Sequence, residues 1–286
     1  MSMALKTPSA GVVTHALGDV YRRLAAVCEA LTVRVAEPGD GVREMGVPEP
    51  GFTAQELMSD RGALDAFVDV EVARIRDRHG VTARRHVAAS RALHDYAWSV
   101  GLLTAGAWFL ERRVPRIRPR DLWLDLASGT YVITPGRELA CLTDDALAGL
   151  PDVLTIHQEA GLRTALRAAV ADHMRPLLAA FGPVARRGAR PLWGMVGDDL
   201  VSGIWYLGRM LDREREAVRA ATDVLPAAVP PYPSGAGFRR LTDEDGRTYT
   251  TRTRTGCCMF YAIRPAEACV TCPRTGDAER LRRLRD

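Results

Sequence analysis

The sequence predicts an α+β protein with a predominantly helical body, a small β-hairpin or sheet element in mid-chain, and a C-terminal segment built around cysteines. Three observations carry that expectation. Apolar residues recur at helical spacing over most of the first 224 positions, one short stretch alternates instead, and a proline-rich run near residue 230 separates the helical part from a hairpin leading into four clustered cysteines. With 286 residues and 47% hydrophobic content, the chain can bury a substantial core.

The elements follow in order. Val13, Leu17, Val20, Tyr21, Leu24 and Val27 share one face of an amphipathic helix over 12–34, with Cys28 on or beside that face. A loop rich in proline and glycine spans 37–51, and Thr53-Ala54-Gln55-Glu56 reads as a capping box that opens the next helical stretch. Gly80 stops the helix that follows, and a long helix runs from about 83 to 113, ending before Pro115. The segment "DLWLDLASGTYVITPG" alternates, and "ASGT" turns it into a hairpin of two short strands. Helical patterning resumes over 157–181 and again over 192–224. Four prolines between 226 and 233 cannot continue a helix, so 225–237 is a linker or a rigid crossing segment. In "FRRLTDEDGRTYTTRTRT" the Asp245-Gly246 pair turns a second hairpin, which delivers the chain to Cys257. The chain thus divides into a body over 1–224, the proline-rich linker over 225–237, and a hairpin with the cysteine segment over 238–286.

Charge and hydropathy narrow the function classes. The formal net charge of +4 resides in the last 49 residues, where eleven arginines face seven acids and can attract anionic partners. The tail "DAERLRRLRD" lacks the interleaved aromatics of a nucleic-acid surface, so nucleic acid is not expected as a partner. The longest uncharged stretch, Tyr96 to Leu110, is shorter than the roughly 20 residues that span a bilayer, and it reads as a buried helix. No export signal is visible at the start of the sequence, and a cytoplasmic location is expected. Neither a Gly-x-Gly-x-x-Gly turn nor a Walker loop is present, so electrons for any redox role come from outside the chain.

The chemistry lies in Cys257-Cys258-x10-Cys269-x2-Cys272-Pro273. A Cys-x-x-Cys turn serves zinc and iron–sulfur sites alike. Adjacent thiols on an extended strand point to opposite faces and clasp a single ion poorly, whereas a binuclear [2Fe–2S] cluster spreads four thiolates over two irons. A non-catalytic structural zinc site made by the same four cysteines remains an alternative. Two disulfides are disfavoured in a reducing compartment, and Cys28 and Cys141 read as small buried hydrophobes.

This cysteine run, with Tyr261 and Arg264 inside its spacer and Arg254 ahead of it, resembles the C-terminal signature of the FhuF-type ferric-siderophore reductases. "RPLWGMVGDDLVSG" is similar to that family's Leu-Trp-Gly segment, and "HVAASRALHDYAWSV" fits the helix before it. The sequence departs from the family at Gly256, where Ser or Thr is usual, at Met195, where Asn is frequent, and in the spacer opening "CCMFYAIR". The resemblance implies a [2Fe–2S] cluster held by Cys257, Cys258, Cys269 and Cys272. It also implies one-electron reduction of a ferric siderophore, of which a hydroxamate is one candidate, by electrons from a ferredoxin or a reduced flavoprotein. Ferric iron held by hard oxygen donors is released when one electron lowers its charge, and no proton-transferring catalytic residue is required. A cluster protein serving another redox or biosynthetic step is the alternative from the same motif.

Arg252, Arg254, Arg264 and Arg274 are candidates to pair with an anionic substrate or donor, against the alternative of a solvated hairpin face. Trp193 beside Gly194 is a candidate wall of the substrate site or a packed tryptophan. Asp198 and Asp199 are expected to favour the dipole at the N-terminus of their helix. The histidines at 15, 86, 94, 157 and 173 show no paired ligand spacing, and Trp98 and Trp108 belong to the core.

Overall fold

The structure is a computed structural model that describes residues 8–36 and 51–285. The expected α+β class holds, with the helices forming the body and short strands set against it. The body is organised around α4 (Arg85–Glu111), which is buried on nearly all sides from Val87 to Phe109. A helix that is apolar all round must be covered all round, and α1 (Pro8–Val27), α3 (Arg61–His79), α5 (Glu159–Ala185) and α6 (Ala189–Met210) provide the cover. No helix among the described residues is long and apolar enough to cross a membrane.

The local signals act as expected at several boundaries. Thr53 caps α2 (Ala54–Ser59), its hydroxyl accepting from the Glu56 N–H at 3.1 Å while the Glu56 carboxylate accepts from the Thr53 N–H at 2.7 Å. Gly80 closes α3 at φ 66°, a left-handed cap that costs glycine little. α4 ends at Glu111, capped by a left-handed Arg112, before Pro115.

Other boundaries differ. α1 begins at Pro8 and stops at Val27, short of the expected residue 34, because the β-branched run Thr32-Val33-Arg34-Val35 forms β1 (Val33–Val35) instead. β1 pairs in parallel with β5 (Tyr131–Ile133), which pairs with β4 (Leu122–Asp125) in the expected "ASGT" hairpin, and β2 (Gly51–Thr53) completes that sheet. A second sheet, which the sequence pattern does not predict, joins β3 (Val114–Pro115), β6 (Leu139–Leu142) and β7 (Val153–Ile156). These strands are too short to show a period. The stretch 192–224 is two helices, α6 and α7 (Glu214–Val224), because the chain turns through a left-handed Asp212. Most of the expected loop over 37–51 lies outside the described residues.

The segment 225–237 lies against the body: Tyr232 is fully buried, its hydroxyl donates to the Arg167 carbonyl at 2.8 Å, and the Ala236 N–H donates to the Leu225 carbonyl at 2.7 Å. Beyond it come the antiparallel pair β8 (Phe238–Thr242) and β9 (Thr248–Arg252), the cysteine loop, and a terminal helix α8 (Asp277–Arg285).

Candidate metal centre

The β8–β9 hairpin turns as the sequence indicates, with Gly246 at φ 76° and the Asp243 carboxylate accepting from the N–H groups of Asp245 and Arg247. From β9 the chain runs across α6, and here two buried ion pairs fasten it. Arg252, 1% exposed, pairs with Asp198, and donates to the Asp198 carbonyl, the Ser202 hydroxyl and the Ala236 carbonyl at 2.8–3.0 Å. Arg254, 7% exposed, donates to the Asp199 carboxylate at 2.5 Å, whose other oxygen lies 2.9 Å from His94 Nδ1. The Gly256 N–H donates to Asp198 at 2.5 Å.

These contacts correct the expectation for the two aspartates. α6 begins at Ala189, so Asp198 and Asp199 lie in mid-helix, fully buried, as the anchors of the cysteine loop. Burial pushes the Asp198 carboxyl above its ordinary range against the pull of Arg252 and Arg254. Burial also opposes the Asp199 charge, yet Arg254 and His94 together hold that carboxyl below its ordinary range. The available signal was two acids inside an otherwise apolar helical window, since a buried charge needs a partner.

At Gly256 the loop rests directly on the helix: a Cβ there would lie 2.5 Å from the Met195 amide nitrogen and 2.6 Å from its Cα. Only glycine allows this approach without movement of the backbone. Cys257 and Cys258 follow, in irregular backbone rather than a strand, with Met259 left-handed at φ 63° and its N–H 3.4 Å from the Cys257 sulfur. Cys269 and Cys272 close a turn, the Cys272 N–H donating to the Cys269 carbonyl at 2.9 Å. All four thiols line one small pocket, with Arg254, Gly256, Phe260, Tyr261, Ala268 and Pro273. Cys258 and Cys272 are buried, Cys257 and Cys269 half-buried, and burial raises the thiol pKa of both half-buried residues. Among the described residues no group of three or more His, Cys, Asp or Glu side chains is drawn together as a metal site.

The surroundings of that pocket are cationic. Arg187 donates to the Cys257 carbonyl at 2.5 Å, and the Arg91 guanidinium of α4 lies near enough to Cys258 for their charges to interact. Arg280 of α8, 1% exposed, donates to the carbonyls of Val270, Cys272 and Thr275 at 2.6, 3.0 and 2.9 Å, and Arg283 donates to those of Ala266 and Ala268. The sequence offered no sign of these roles, because nothing in "ERLRRLR" separates a buried arginine from an exposed one. The Arg254 Nε–H is buried and has no hydrogen-bond partner among the described residues. A sulfur-rich anionic group in the pocket that Arg254 lines fits both that orphaned donor and the four-thiol donor set.

The remaining candidates separate. Arg264 is exposed and 3.7 Å from Glu267, and Arg274 is exposed with its guanidinium 3.9 Å from the centroid of the Tyr261 ring. Trp193 is 8% exposed and packs edge-on against Tyr232. Cys28 and Cys141 are fully buried in the hydrophobic core, each thiol pushed up to about 11 by burial. Trp108 is core, whereas Trp98 is half-buried and faces a second, larger pocket.

That pocket, of about 640 Å³, is walled by α3, α4 and α6 and reaches Arg254, Phe260 and Thr271 of the cysteine segment. Arg254 and Phe260 line both pockets.

Residues 254–274 match the model of the family described as the FhuF 2Fe-2S C-terminal domain. The resemblance of the cysteine motif to the FhuF type therefore holds, and a [2Fe–2S] cluster is the cofactor of this segment. No curated protein matches the chain.

Proposed function

We propose that this iron–sulfur protein is a cytoplasmic one-electron reductase of ferric siderophores, with Cys257, Cys258, Cys269 and Cys272 as the cluster ligands. The supporting observation is the shared wall: Arg254 and Phe260 line the cysteine pocket on one side and the 640 Å³ pocket on the other. That volume falls within the roughly 300–1,000 Å³ usual for small-molecule sites. The larger pocket is the chelate site, and the half-buried edge of the cysteine loop is where an external donor such as a ferredoxin or flavoprotein approaches.

The bound cluster supplies single-electron transfer. The chain's own residues do the rest. Asp198 and Asp199 fix Arg252 and Arg254, and so fix the loop; Arg280 and Arg283 hold the second half of the loop by its carbonyls; the N–H of Met259 and the hydroxyl of Thr271 face the sulfurs of Cys257 and Cys269. Hydrogen bonds and positive charge near the sulfurs raise a cluster's potential. One electron from the donor converts the chelated ferric ion to ferrous, and no bond between protein and chelate forms or breaks. In this reading 1–224 is the body that walls the chelate site, 225–237 the connection, and 238–286 the cluster-bearing segment.

The test begins with anaerobic purification, iron and sulfide analysis, and a visible spectrum. The protein is then reduced and mixed with ferric chelates in the presence of a ferrous trap. Reoxidation with stoichiometric ferrous release is expected. A colourless protein with one zinc would end this reading, and a reduced cluster that no ferric chelate reoxidises would assign it to another redox partner.

A further inference from the structure

The larger pocket has an electrostatic character of its own. Of its five arginines, three are paired with a carboxylate: Arg74 with Glu71 and Arg91 with Asp95, each at 2.9 Å, and Arg254 with Asp199. The other two, Arg78 at the end of α3 and Arg209 at the end of α6, are exposed, line the pocket, and have no carboxylate partner among the described residues. The pocket's own acids, Glu71 and Asp95, are both engaged in the pairs just named. Two unneutralised guanidinium groups therefore face the space where the chelate sits.

The rest of the lining is aromatic and hydroxylated. Trp98 and Tyr206 meet edge to face at 5.6 Å, Trp205 stands beside Arg209, and Ser99, Ser128 and Ser202 reach the same space. Such a surface stacks a planar or apolar scaffold and leaves specificity to its few charges. Guanidinium groups prefer carboxylates, which they meet with two parallel hydrogen bonds. The arginines around the cysteine motif do not fill this role: Arg252 and Arg254 are bound to aspartates, and Arg274 lies over Tyr261.

From these observations we infer that the pocket selects ferric chelates of net negative charge that carry free carboxylates, with Arg78 and Arg209 as the residues that recognise them. The inference rests on the reductase reading for its ligand class and adds the charge and the recognising residues. A citrate-based hydroxamate chelate is of this kind. Neutral cyclic tris-hydroxamates and linear ones bearing a free ammonium are not.

Gallium(III) chelates test this, because they have the shape of the ferric chelates and accept no electron. Binding of three gallium complexes to the full-length, cluster-loaded protein is measured by tryptophan fluorescence at low and high salt: an anionic citrate-based bis-hydroxamate, a neutral cyclic tris-hydroxamate, and a linear tris-hydroxamate with a free ammonium. The anionic complex is expected to bind at least about tenfold more tightly at low salt, with the advantage shrinking as salt screens it. The double variant Arg78→Gln, Arg209→Gln should lose most of that advantage while binding the neutral complex as before. Equal or tighter binding of the neutral or ammonium-bearing complex would overturn the inference. So would a preference that survives the double variant. The ferric forms mixed with reduced protein report separately: failure of all three to reoxidise it sinks the reductase reading, whatever the gallium preference.

Discussion

A carboxylate with no solvent exposure beside a guanidinium has no water to replace its partner. Asp199 is in that position with Arg254, and Asp198 with Arg252. Removing one member of such a pair leaves an uncompensated buried charge and costs about 3–5 kcal/mol. Asp199→Ala is therefore expected to destabilise the fold by that order in denaturant titration and to lower cluster content. Asp199→Asn, which keeps a hydrogen-bond acceptor, should lose less of both. At the ligand positions, Cys258→Ser should abolish a stable cluster, while Cys141→Ser, in β6 and fully buried, should leave the visible spectrum unchanged. A normal spectrum for Cys258→Ser would remove that residue from the ligand set.

Elements position these residues from two sides. α6 serves as a platform whose backbone at Met195 touches the loop at Gly256, and the close approach leaves no room for a side chain. Gly256→Ala must shift loop or helix, a strain of about 1–3 kcal/mol, and the expected result is lower cluster occupancy with a small fall in Tm. α8 works from the other side through Arg280. Hydrogen bonds to a charged group contribute about 1.5–3 kcal/mol each, and Arg280 makes three to loop carbonyls. Arg280→Gln should thus hasten cluster loss to an iron chelator by roughly tenfold or more, since about 1.4 kcal/mol is a factor of ten. An unchanged rate of loss would mean that the loop holds its shape without α8.

The whole molecule is a helical body closed around α4, and its stability carries a buried histidine. His173 of α5 is 3% exposed between α4 and the loop that follows β3. The Ile117 carbonyl can only accept, so Nδ1 carries the proton at 2.9 Å and Nε2 accepts from the Tyr96 hydroxyl at 2.5 Å. Burial lowers its pKa from 6.5 to about 4. The unfolded chain therefore takes up a proton more readily than the folded one. The stability that neutral His173 supplies is complete above about pH 6.5 and is lost as pH falls towards 4. Between pH 7.5 and pH 5 the loss from this group is about 2 kcal/mol, at 1.36 kcal/mol for each pH unit below 6.5. Denaturant titrations at the two pH values should give a difference about 2 kcal/mol smaller in His173→Gln than in the wild type; an equal difference would show that another group carries the acid sensitivity.

Local chemistry was legible in the sequence wherever one residue type decides a conformation. The Thr53–Glu56 box, the stop at Gly80, the turn at Asp245-Gly246, the fifteen-residue apolar heart of α4 and the four-cysteine spacing are all of this kind, because each depends on near neighbours along the chain. The ends of α1, the sheet of β3, β6 and β7, and the division between α6 and α7 depend on partners far away in sequence, and no local period announces them. The same holds at the site. Spacing marked the four cysteines, but only tertiary packing could decide that Asp198 and Asp199 are buried anchors rather than helix-dipole residues. Packing also placed Arg252 and Arg254 inside, and joined Arg78 and Arg209 from separate helices in one pocket. A charge reveals its role only with its counter-charge, and at the cysteine loop the counter-charges of Arg252 and Arg254 are supplied by another element, α6.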